Sequence, residues 1–246
     1  MMQNHHSPSE FLEGGTPLIV CALLFAEECH AGQKRRDGRD YIVHPQEVLE
    51  TLMHRGVYTD IRGAKALVHD VVEELRKEET MGGRKAVTFE DVEKVFGAIH
   101  GPSISHTTWA LTDGTPEEVL NDVDAIIIKP ADVKRNTGDY LKSGTLRGAD
   151  TYSKQVGKKW LPVFRKAAIL YPEYTNYFQG MIEDIETNLF FIDKYVAAKS
   201  AHLDMMRSRR NLKEATDTLK KDVITLLRIA IYELGTRIRN KWAGLF

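Results

Sequence analysis

The 246-residue sequence predicts an all-α protein with an N-terminal tail, a site-bearing helical domain and a helical C-terminal part. Three observations favour this fold class. Apolar residues recur at helical spacing through most of the chain, no run shows the alternation of a half-buried strand, and glycines separate the periodic segments. Hydrophobic residues make up 42% of the chain and charged residues 28%, which is typical of a globular protein with a sizeable core.

The elements follow in chain order. The first fifteen residues are polar and end in a glycine pair, so we expect a loose tail. Helices are predicted at 17–31, 45–55, 60–77, 88–98, 116–124 and 129–142, with breaks at glycines that include Gly82-Gly83 and Gly101-Pro102. A polar stretch at 143–159 predicts a connector, and further helices are predicted at 158–170, 173–205 and 209–243. The predicted division is a tail over 1–15, a site-bearing domain over 16–149 and a helical extension over 150–246.

Composition excludes several classes of partner. The chain has 34 Lys and Arg against 35 Asp and Glu, so it lacks the basic field that gathers nucleic acid, and we expect no nucleic-acid partner. The longest apolar run, 17–26, is too short to span a bilayer, so we expect no membrane association. Cys21 and Cys29 on one helix would lie about 12 Å apart, beyond disulfide reach, which favours a reducing cytoplasm. The apolar stripes of the C-terminal helices need a cover, either the site-bearing domain or a second copy in a homo-oligomer.

The stretch "HDVVEE" at 69–74 places four ionisable groups between apolar neighbours. On a helix His69 and Glu73 stand at i and i+4, as do Asp70 and Glu74, which makes one polar seam. Buried unpaired charges cost several kcal/mol, so a bound cation is one explanation. Taken alone, the stretch is better explained as a helix with a solvated acidic face, because two residues make no site.

Two further sequence blocks favour the bound cation over the solvated helix face. Upstream lies "HAGQKRRDGRDYIVHP" at 30–45, and downstream lies "IIIKPADVKRN" at 126–136. In this order the three blocks resemble the hydrolase domain of the RelA/SpoT family, a branch of the HD-domain phosphohydrolases. The family patterns are H-x-G-Q-x-R-x-x-G-x-P-Y-x-x-H-P, A-L-L-H-D-x-V-E-D and K-L-A-D-x-x-x-N.

This chain keeps most positions of all three patterns, and the resemblance covers residues 17–142. The matching residues are His30, Gly32, Gln33, Arg35, Gly38, Tyr41, His44 and Pro45 in the first block, His69, Asp70, Val72 and Glu73 in the second, and Lys129, Ala131, Asp132 and Asn136 in the third. One block alone would be weak evidence, because His-Asp pairs are common by chance. The resemblance implies an all-α HD-domain fold with a C-terminal helical extension.

The resemblance also implies a divalent cation held by two histidines and two aspartates, here His44, His69, Asp70 and Asp132. Two imidazoles and two carboxylates leave open positions on a six-coordinate ion for water and a phosphate oxygen. Such mixed ligation suits Mn²⁺, with Fe²⁺ or another divalent metal as alternatives, better than a closed zinc site. Taken singly, His44 could be a helix-entry residue and Asp132 a surface charge.

Catalytic and substrate roles follow from the same resemblance. It implies that Glu73 and Asn136 hold the attacking water and that Glu74 assists. A carboxylate one helical turn from a metal ligand is well placed to orient a water and accept its proton. The residues that match substrate-binding positions are Arg35, Arg36, Tyr41 and Lys129. The basic loop could also be an ordinary solvated loop, and Lys129 could pair with a carboxylate instead of phosphate.

The sequence departs from the family patterns at four positions. Asp40 replaces Pro, Glu74 replaces Asp, and Pro130 replaces Leu, so the helix carrying Asp132 is predicted to start near residue 129 or to bend there. Asp139 stands at a threonine position near the substrate. A carboxylate beside a polyphosphate is repulsive, so restoring threonine is expected to preserve or improve activity.

The function that the resemblance implies is metal-dependent removal of the 3′-pyrophosphate from guanosine tetra- or pentaphosphate. Two alternatives stay open. One is hydrolysis of another phosphorylated purine nucleotide, such as an adenine alarmone or a phosphorylated dinucleotide. The other is a non-catalytic HD module that binds a nucleotide and signals through its C-terminal helices.

Overall fold

The computed structural model describes residues 17–143, 145–207, 219–231 and 233–234, and the predicted tail over 1–15 lies outside them. The described residues contain helices and no β-strand, which confirms the all-α class. The helices are α1 Leu18–Cys29, α2 Val43–His54, α3 Asp60–Val68, α4 Val71–Thr80, α5 Phe89–Thr112, α6 Pro116–Asn121, α7 Val123–Ser143, α8 Leu146–Gln155, α9 Leu161–Leu170 and α10 Thr175–Arg207. A π-helical turn covers Val156–Trp160, and a 3₁₀ turn covers Pro172–Tyr174.

The described residues up to Ile192 form one compact unit, and those from Asp193 onward form a second. In the first unit, α1, α3, α4 and α5 share an apolar core. Its fully or almost fully buried members are Cys21, Ala22, Phe25, Ala26, Ala64, Leu67, Val68, Val71, Val72, Leu75, Val92, Phe96 and Ile104. This core supports the helix ends that carry the polar cluster described below.

The predicted helix over 60–77 is wrong, because a turn at His69 and Asp70 divides it into α3 and α4. Asp70 has φ −101° and ψ −9°. The Nδ1 atom of His69 lies 2.7 Å from the Ala66 carbonyl oxygen, so the side chain occupies a carbonyl at the end of α3. The side chains of His69 and Asp70, on either side of this turn, are both buried.

The helix break predicted at Gly101-Pro102 is also wrong. The helical path is interrupted earlier, at Gly97, and then continues to Thr112. Gly97 has φ +66°, a left-handed conformation that glycine adopts without the steric cost of a Cβ atom. Pro102 therefore lies inside the second half of α5.

Of the two predicted alternatives, a helix start near residue 129 or a bend there, the start is wrong and the bend stays a prediction. Helix α7 begins at Val123 and runs through Pro130. Close to the proline, the Tyr177 hydroxyl donates a hydrogen bond of 2.5 Å to the Ile127 carbonyl oxygen. This contact ties α10 to α7 just before the proline, although the carbonyl that loses its helical N–H donor at Pro130 is that of Ile126.

The polar stretch over 143–159 was predicted as a connector, but it folds as α8 and the π-helical turn. Only a few residues of this stretch face the protein interior, and the buried ones are Ala149, Ser153, Val156 and Trp160. The Thr145 hydroxyl caps the start of α8 by accepting from a backbone N–H. The connector prediction failed because polar composition concealed this narrow buried face.

The first half of α10 packs in the first compact unit. The buried residues follow helical spacing, namely Tyr177, Phe178, Met181, Ile185, Leu189 and Ile192. The Asn188 side chain donates to the Thr137 hydroxyl of α7 at 2.9 Å. The proposed functional boundary between 149 and 150 and the homo-oligomer through the C-terminal helices stay predictions.

The described residues of the second unit are helical over 193–207 and 219–231, and the rest of the predicted 209–243 helix, apart from 233–234, lies outside the described residues. In the described part of the chain, no helix combines the length and the apolar character needed to cross a bilayer.

Candidate metal centre and adjoining cavity

The loop between α1 and α2 folds back on itself and leads into the first histidine of the site. The backbone N–H groups of Arg35 and Tyr41 donate to carbonyl oxygens across the loop at 2.8 and 3.0 Å. Gly38, with φ +87°, provides the left-handed turn that this reversal needs. His44 then lies in the first turn of α2, where it is buried.

Four buried side chains from three segments meet below this loop. The His44 Nε2 atom lies 3.2 Å from Asp132 Oδ1 and 3.3 Å from Asp70 Oδ2. The His69 Nε2 atom lies 3.1 Å from Asp70 Oδ1 and 3.8 Å from Asp132 Oδ1. Ligand atoms of His44, His69 and Asp70 all lie within 4.8 Å of one another, as a shared metal ion requires. The structure thus brings together all four residues that the sequence predicted as ligands.

The donor set fits a divalent cation. The Ala66 carbonyl oxygen can only accept, so His69 Nδ1 must carry the proton of their 2.7 Å hydrogen bond. His69 Nε2 is buried and faces the Asp70 and Asp132 carboxylates at 3.1 and 3.8 Å, without a hydrogen bond of good geometry to either. Metal-binding histidines commonly donate one ring N–H to a carbonyl and present the other nitrogen to the ion. His69 has this arrangement.

Nearby charges stabilise the carboxylates of the cluster. Burial by itself raises the pKa of Asp132, but Lys129 and the two histidines hold it well below its usual range. The Lys129 Nζ atom lies 3.0 Å from Asp132 Oδ2. Burial lowers the pKa of His69, whereas Asp70 and Asp132 outweigh it and raise that pKa to about 9. A metal ion at His69 Nε2 would therefore displace a proton, and its affinity would fall in acid.

A cavity of about 520 Å³ opens beside the cluster. Asp70 and Asp132 form part of its wall, and cations and aromatic rings form much of the rest. The cationic lining residues are Lys34, Arg35, Arg36, Lys77, Lys129 and Lys159, and the aromatic ones are Tyr41, Tyr140, Tyr152 and Trp160. Such a lining suits a ligand that combines an aromatic ring with several negative charges.

No protein-family profile matches the chain. Curated relatives do match parts of it. A guanosine-3′,5′-bis(diphosphate) 3′-pyrophosphohydrolase of Borreliella burgdorferi is 28% identical over 163 residues, which cover 61% of this chain and 23% of that protein. Putative chloroplastic GTP diphosphokinases RSH1 of Oryza sativa and Arabidopsis thaliana are 37% and 32% identical over 106 and 108 residues. These matches cover 38% and 42% of this chain and 11% of each plant protein.

The chain is related to the RelA/SpoT family. The three sequence blocks and these relatives, which match only parts of the chain, both indicate this relationship. The chain spans less than a quarter of the length of the relatives named above. The relatives therefore indicate the family, and they do not establish the activity of this chain.

The three residues predicted to handle water all line the cavity of this RelA/SpoT relative. The Asn136 side chain donates a hydrogen bond of 2.5 Å to Asp132 Oδ1, which ties it to the cluster. Glu73 and Glu74 lie at the rim, with side chains 41% and 20% exposed. Lys77 contacts both of these carboxylates at 2.6 Å. The Glu73 and Glu74 carboxylates on α4 are therefore partly open to solvent and already paired with Lys77.

The four predicted substrate residues have different environments. Arg35 pairs with Asp139 at 2.6 Å, and both side chains are nearly buried. The Arg36 guanidinium lies 4.0 Å from the centre of the Tyr140 ring, at the cavity wall. The Tyr41 hydroxyl donates to Asp70 at 2.9 Å, so this ring supports the cluster from a largely buried position.

Sequence reasoning missed an aromatic wall that comes from α8 and the π-helical turn. Tyr152 stacks on Tyr140 with ring centres 4.7 Å apart. Trp160 lies beneath two ammonium groups, 5.1 Å from that of Lys129 and 4.8 Å from that of Lys159. The available signal was two aromatic residues among lysines at near-helical spacing, but the segment had been interpreted as a connector.

Proposed function

We propose that this chain is a metal-dependent phosphohydrolase that removes the 3′-pyrophosphate from guanosine tetra- or pentaphosphate. One observation carries the proposal: a buried cluster of two histidines and two aspartates adjoins a cavity lined by cations and aromatic rings. The match to a named 3′-pyrophosphohydrolase supports the same choice of reaction.

The residues that would hold the ion are His44, His69, Asp70 and Asp132. A mixture of imidazole and carboxylate ligands is suited to Mn²⁺, and to Fe²⁺ as an alternative. When bound, such an ion supplies Lewis acidity toward a phosphoryl oxygen and toward the attacking water. Lys129, beside Asp132, adds a positive charge at the same wall of the cavity.

The water-handling roles fall to Glu73 and Asn136, with Glu74 assisting. Glu73 would accept a proton from the water, and the Asn136 amide would hold the water's position. The water oxygen bonds to phosphorus as the bond from phosphorus to the 3′ oxygen breaks. Pyrophosphate leaves, and a proton restores the 3′ hydroxyl group of the sugar. The hydrogen bond from Asn136 to Asp132 supports a position for Asn136 close to this chemistry.

The charge and shape of the cavity support a highly phosphorylated purine nucleotide as substrate. Cations of the cavity lining, including Arg36, Lys129 and Lys159, can contact phosphate oxygens. A purine base can stack on the part of the Tyr152 ring that remains exposed in the cavity. A mononucleotide would offer fewer phosphate oxygens to these cations. The lining does not select between guanine and adenine, which makes the base an outcome of the experiment.

The proposal is tested with the full chain loaded with Mn²⁺. Guanosine tetraphosphate, its adenine counterpart and GTP are supplied in parallel, and products are separated by ion-exchange chromatography. We expect pyrophosphate and GDP from guanosine tetraphosphate, with activity lost on chelation and regained with Mn²⁺. Turnover of the adenine nucleotide alone would keep the mechanism and replace the substrate. Stoichiometric metal with no product from any nucleotide would favour the non-catalytic binding module.

A variant pair separates chemistry from folding. Glu73→Gln should lower turnover by roughly a hundredfold while metal content stays near the wild-type value, because a general base is lost and no ligand is changed. Glu79→Gln is the matched control, since Glu79 is an exposed carboxylate on the same helix and lies outside the cavity lining. Equal activity in the two variants would remove Glu73 from the proposed role.

A further inference from the structure

Lys77 is a cavity residue to which neither the sequence patterns nor the proposed reaction assigns a role. Its Nζ atom lies 2.6 Å from Glu73 Oε1 and 2.6 Å from Glu74 Oε1. It stands on α4 one turn beyond both carboxylates, and its side chain is 54% exposed. One ammonium group is thus shared by the two carboxylates that the proposed function places beside the reacting water.

An ordinary helix ion pair would need no further explanation. Exposed pairs at i and i+4 contribute little stability and are common. The position of Lys77 adds two features to that simple interpretation. It lines the same cavity as the metal cluster, and it neutralises an acidic rim that a polyanion must pass.

The other lysines of the cavity have different surroundings. Lys34 pairs with Asp40 at 2.6 Å on an exposed loop, and Lys129 pairs with Asp132 inside the cluster. Lys77 alone, among the described lysines of the cavity, contacts both Glu73 and Glu74. An ammonium group has three N–H donors, so two carboxylates leave a third donor for a phosphate oxygen.

We propose that Lys77 is a specificity-determining residue that binds the 3′-pyrophosphate of the substrate while it holds Glu73 and Glu74 at the cavity rim. This inference rests on the proposed function, because it takes the 3′-pyrophosphate as the group that is cleaved. A nucleotide without that group lacks the phosphate oxygens that the third donor would contact. Removal of Lys77 also leaves two carboxylates facing a polyanion without their shared cation, and the repulsion falls mainly on the more highly charged ligand.

Binding is measured on the metal-loaded full chain with guanosine tetraphosphate and GDP, which differ by the 3′-pyrophosphate. Trp160 lines the cavity, so quenching of tryptophan fluorescence after rapid mixing reports binding before turnover. Lys77→Met should weaken tetraphosphate binding about tenfold and change GDP binding less than twofold, as expected for one lost charge-assisted hydrogen bond. Lys77→Arg should restore tetraphosphate binding to within about threefold of wild type.

Lys34→Met is the matched control, because it removes one positive charge from the same cavity without touching Glu73 or Glu74. If Lys34→Met lost as much preference for the tetraphosphate as Lys77→Met, the effect of Lys77 would be that of any positive charge in the cavity. That result would overturn the inference. An unchanged preference in Lys77→Met would overturn it directly. Turnover is followed on the same samples. A wild-type chain that releases no pyrophosphate, but binds the tetraphosphate in a Lys77-dependent way, would refute the proposed hydrolysis and leave the binding role of Lys77 standing.

Discussion

The ion pair between Arg35 and Asp139 predicts that Asp139 stabilises the protein. From sequence alone, Asp139 is expected to repel a polyphosphate, so Asp139→Thr should preserve or improve activity. In the structure, Arg35 NH2 lies 2.6 Å from Asp139 Oδ2, and Arg35 Nε lies 3.2 Å from the same oxygen. The two side chains are only 10% and 11% exposed. The carboxylate is therefore the main partner of a nearly buried guanidinium group.

The size of the effect can be estimated from the contacts that remain. Removing one partner of a buried ion pair costs about 3–5 kcal/mol, because the other charge stays buried. Arg35 would retain a hydrogen bond of 3.0 Å to Asn136 and a contact with the Tyr41 ring, 5.1 Å from its centre. These contacts reduce the expected destabilisation by Asp139→Thr to about 2–3 kcal/mol. For a chain of this length the melting temperature would fall by about 4–12 °C.

Thermal and urea unfolding of four proteins test this estimate: wild type, Asp139→Thr, Arg35→Met and the double variant. We expect the double variant to lose less stability than the two single losses added together, with a coupling of about 2 kcal/mol. The pair of Lys34 and Asp40 is the control, since its side chains are 57% and 62% exposed, and Asp40→Thr should have little effect. Strictly additive losses, or an Asp139→Thr protein that melts at the wild-type temperature, would refute the reasoning.

Three other predictions address the metal, the core and a thiol. Asp132→Ala should lower the metal content from about one ion per chain, measured by atomic emission after dialysis, and a full complement at wild-type affinity would contradict its role as a ligand. Tyr177→Phe should cost about 1–2 kcal/mol in urea unfolding, because the Ile127 carbonyl loses its buried donor; an unchanged midpoint would show that this bond contributes nothing net. Burial and the neighbouring Glu28 carboxylate raise the pKa of Cys29 to about 12, so at pH 8 the folded chain should resist iodoacetamide while the urea-unfolded chain reacts. Alkylation of Cys29 at equal rates in both states would exclude a protected thiol.

The fold class could be predicted from sequence because it depends on a strong local pattern, whereas the four-residue cluster was implied by the resemblance to the RelA/SpoT family. Helical periodicity is repeated over many turns, so the class survives errors at individual boundaries. The cluster was predicted because three short blocks occur in order, each with its polar residues at defined spacing. Asp132 and Asn136 illustrate this, since their i and i+4 spacing on α7 corresponds to the observed hydrogen bond between them.

Breaks within helices were harder to predict, because the causes lie in single contacts. The turn at His69 depends on a side-chain bond to a backbone carbonyl, and no periodicity signals it. Gly97 interrupts α5 through one left-handed residue, whereas Gly101-Pro102, a stronger sequence signal, does not. Pro130 is accommodated within α7, near the hydroxyl of a tyrosine 47 positions further along the chain. Tertiary contacts of this kind cannot be inferred from a local window.

The aromatic wall shows why the cavity could not be completed from sequence. Tyr152 and Trp160 are eight residues apart, and in a regular α-helix that spacing sets them about 80° apart around the axis, at the two edges of one broad face. In the π-helical turn at Val156–Trp160, backbone hydrogen bonds join residues five apart instead of four. The turn therefore contains about one more residue than an α-helical turn. Both rings can then line the same cavity, where Trp160 also lies beneath the Lys129 ammonium group. A helical wheel can place both rings on one broad face, but it cannot show that Tyr140 and Lys129 of α7 pack against that face, because these contacts join distant parts of the chain.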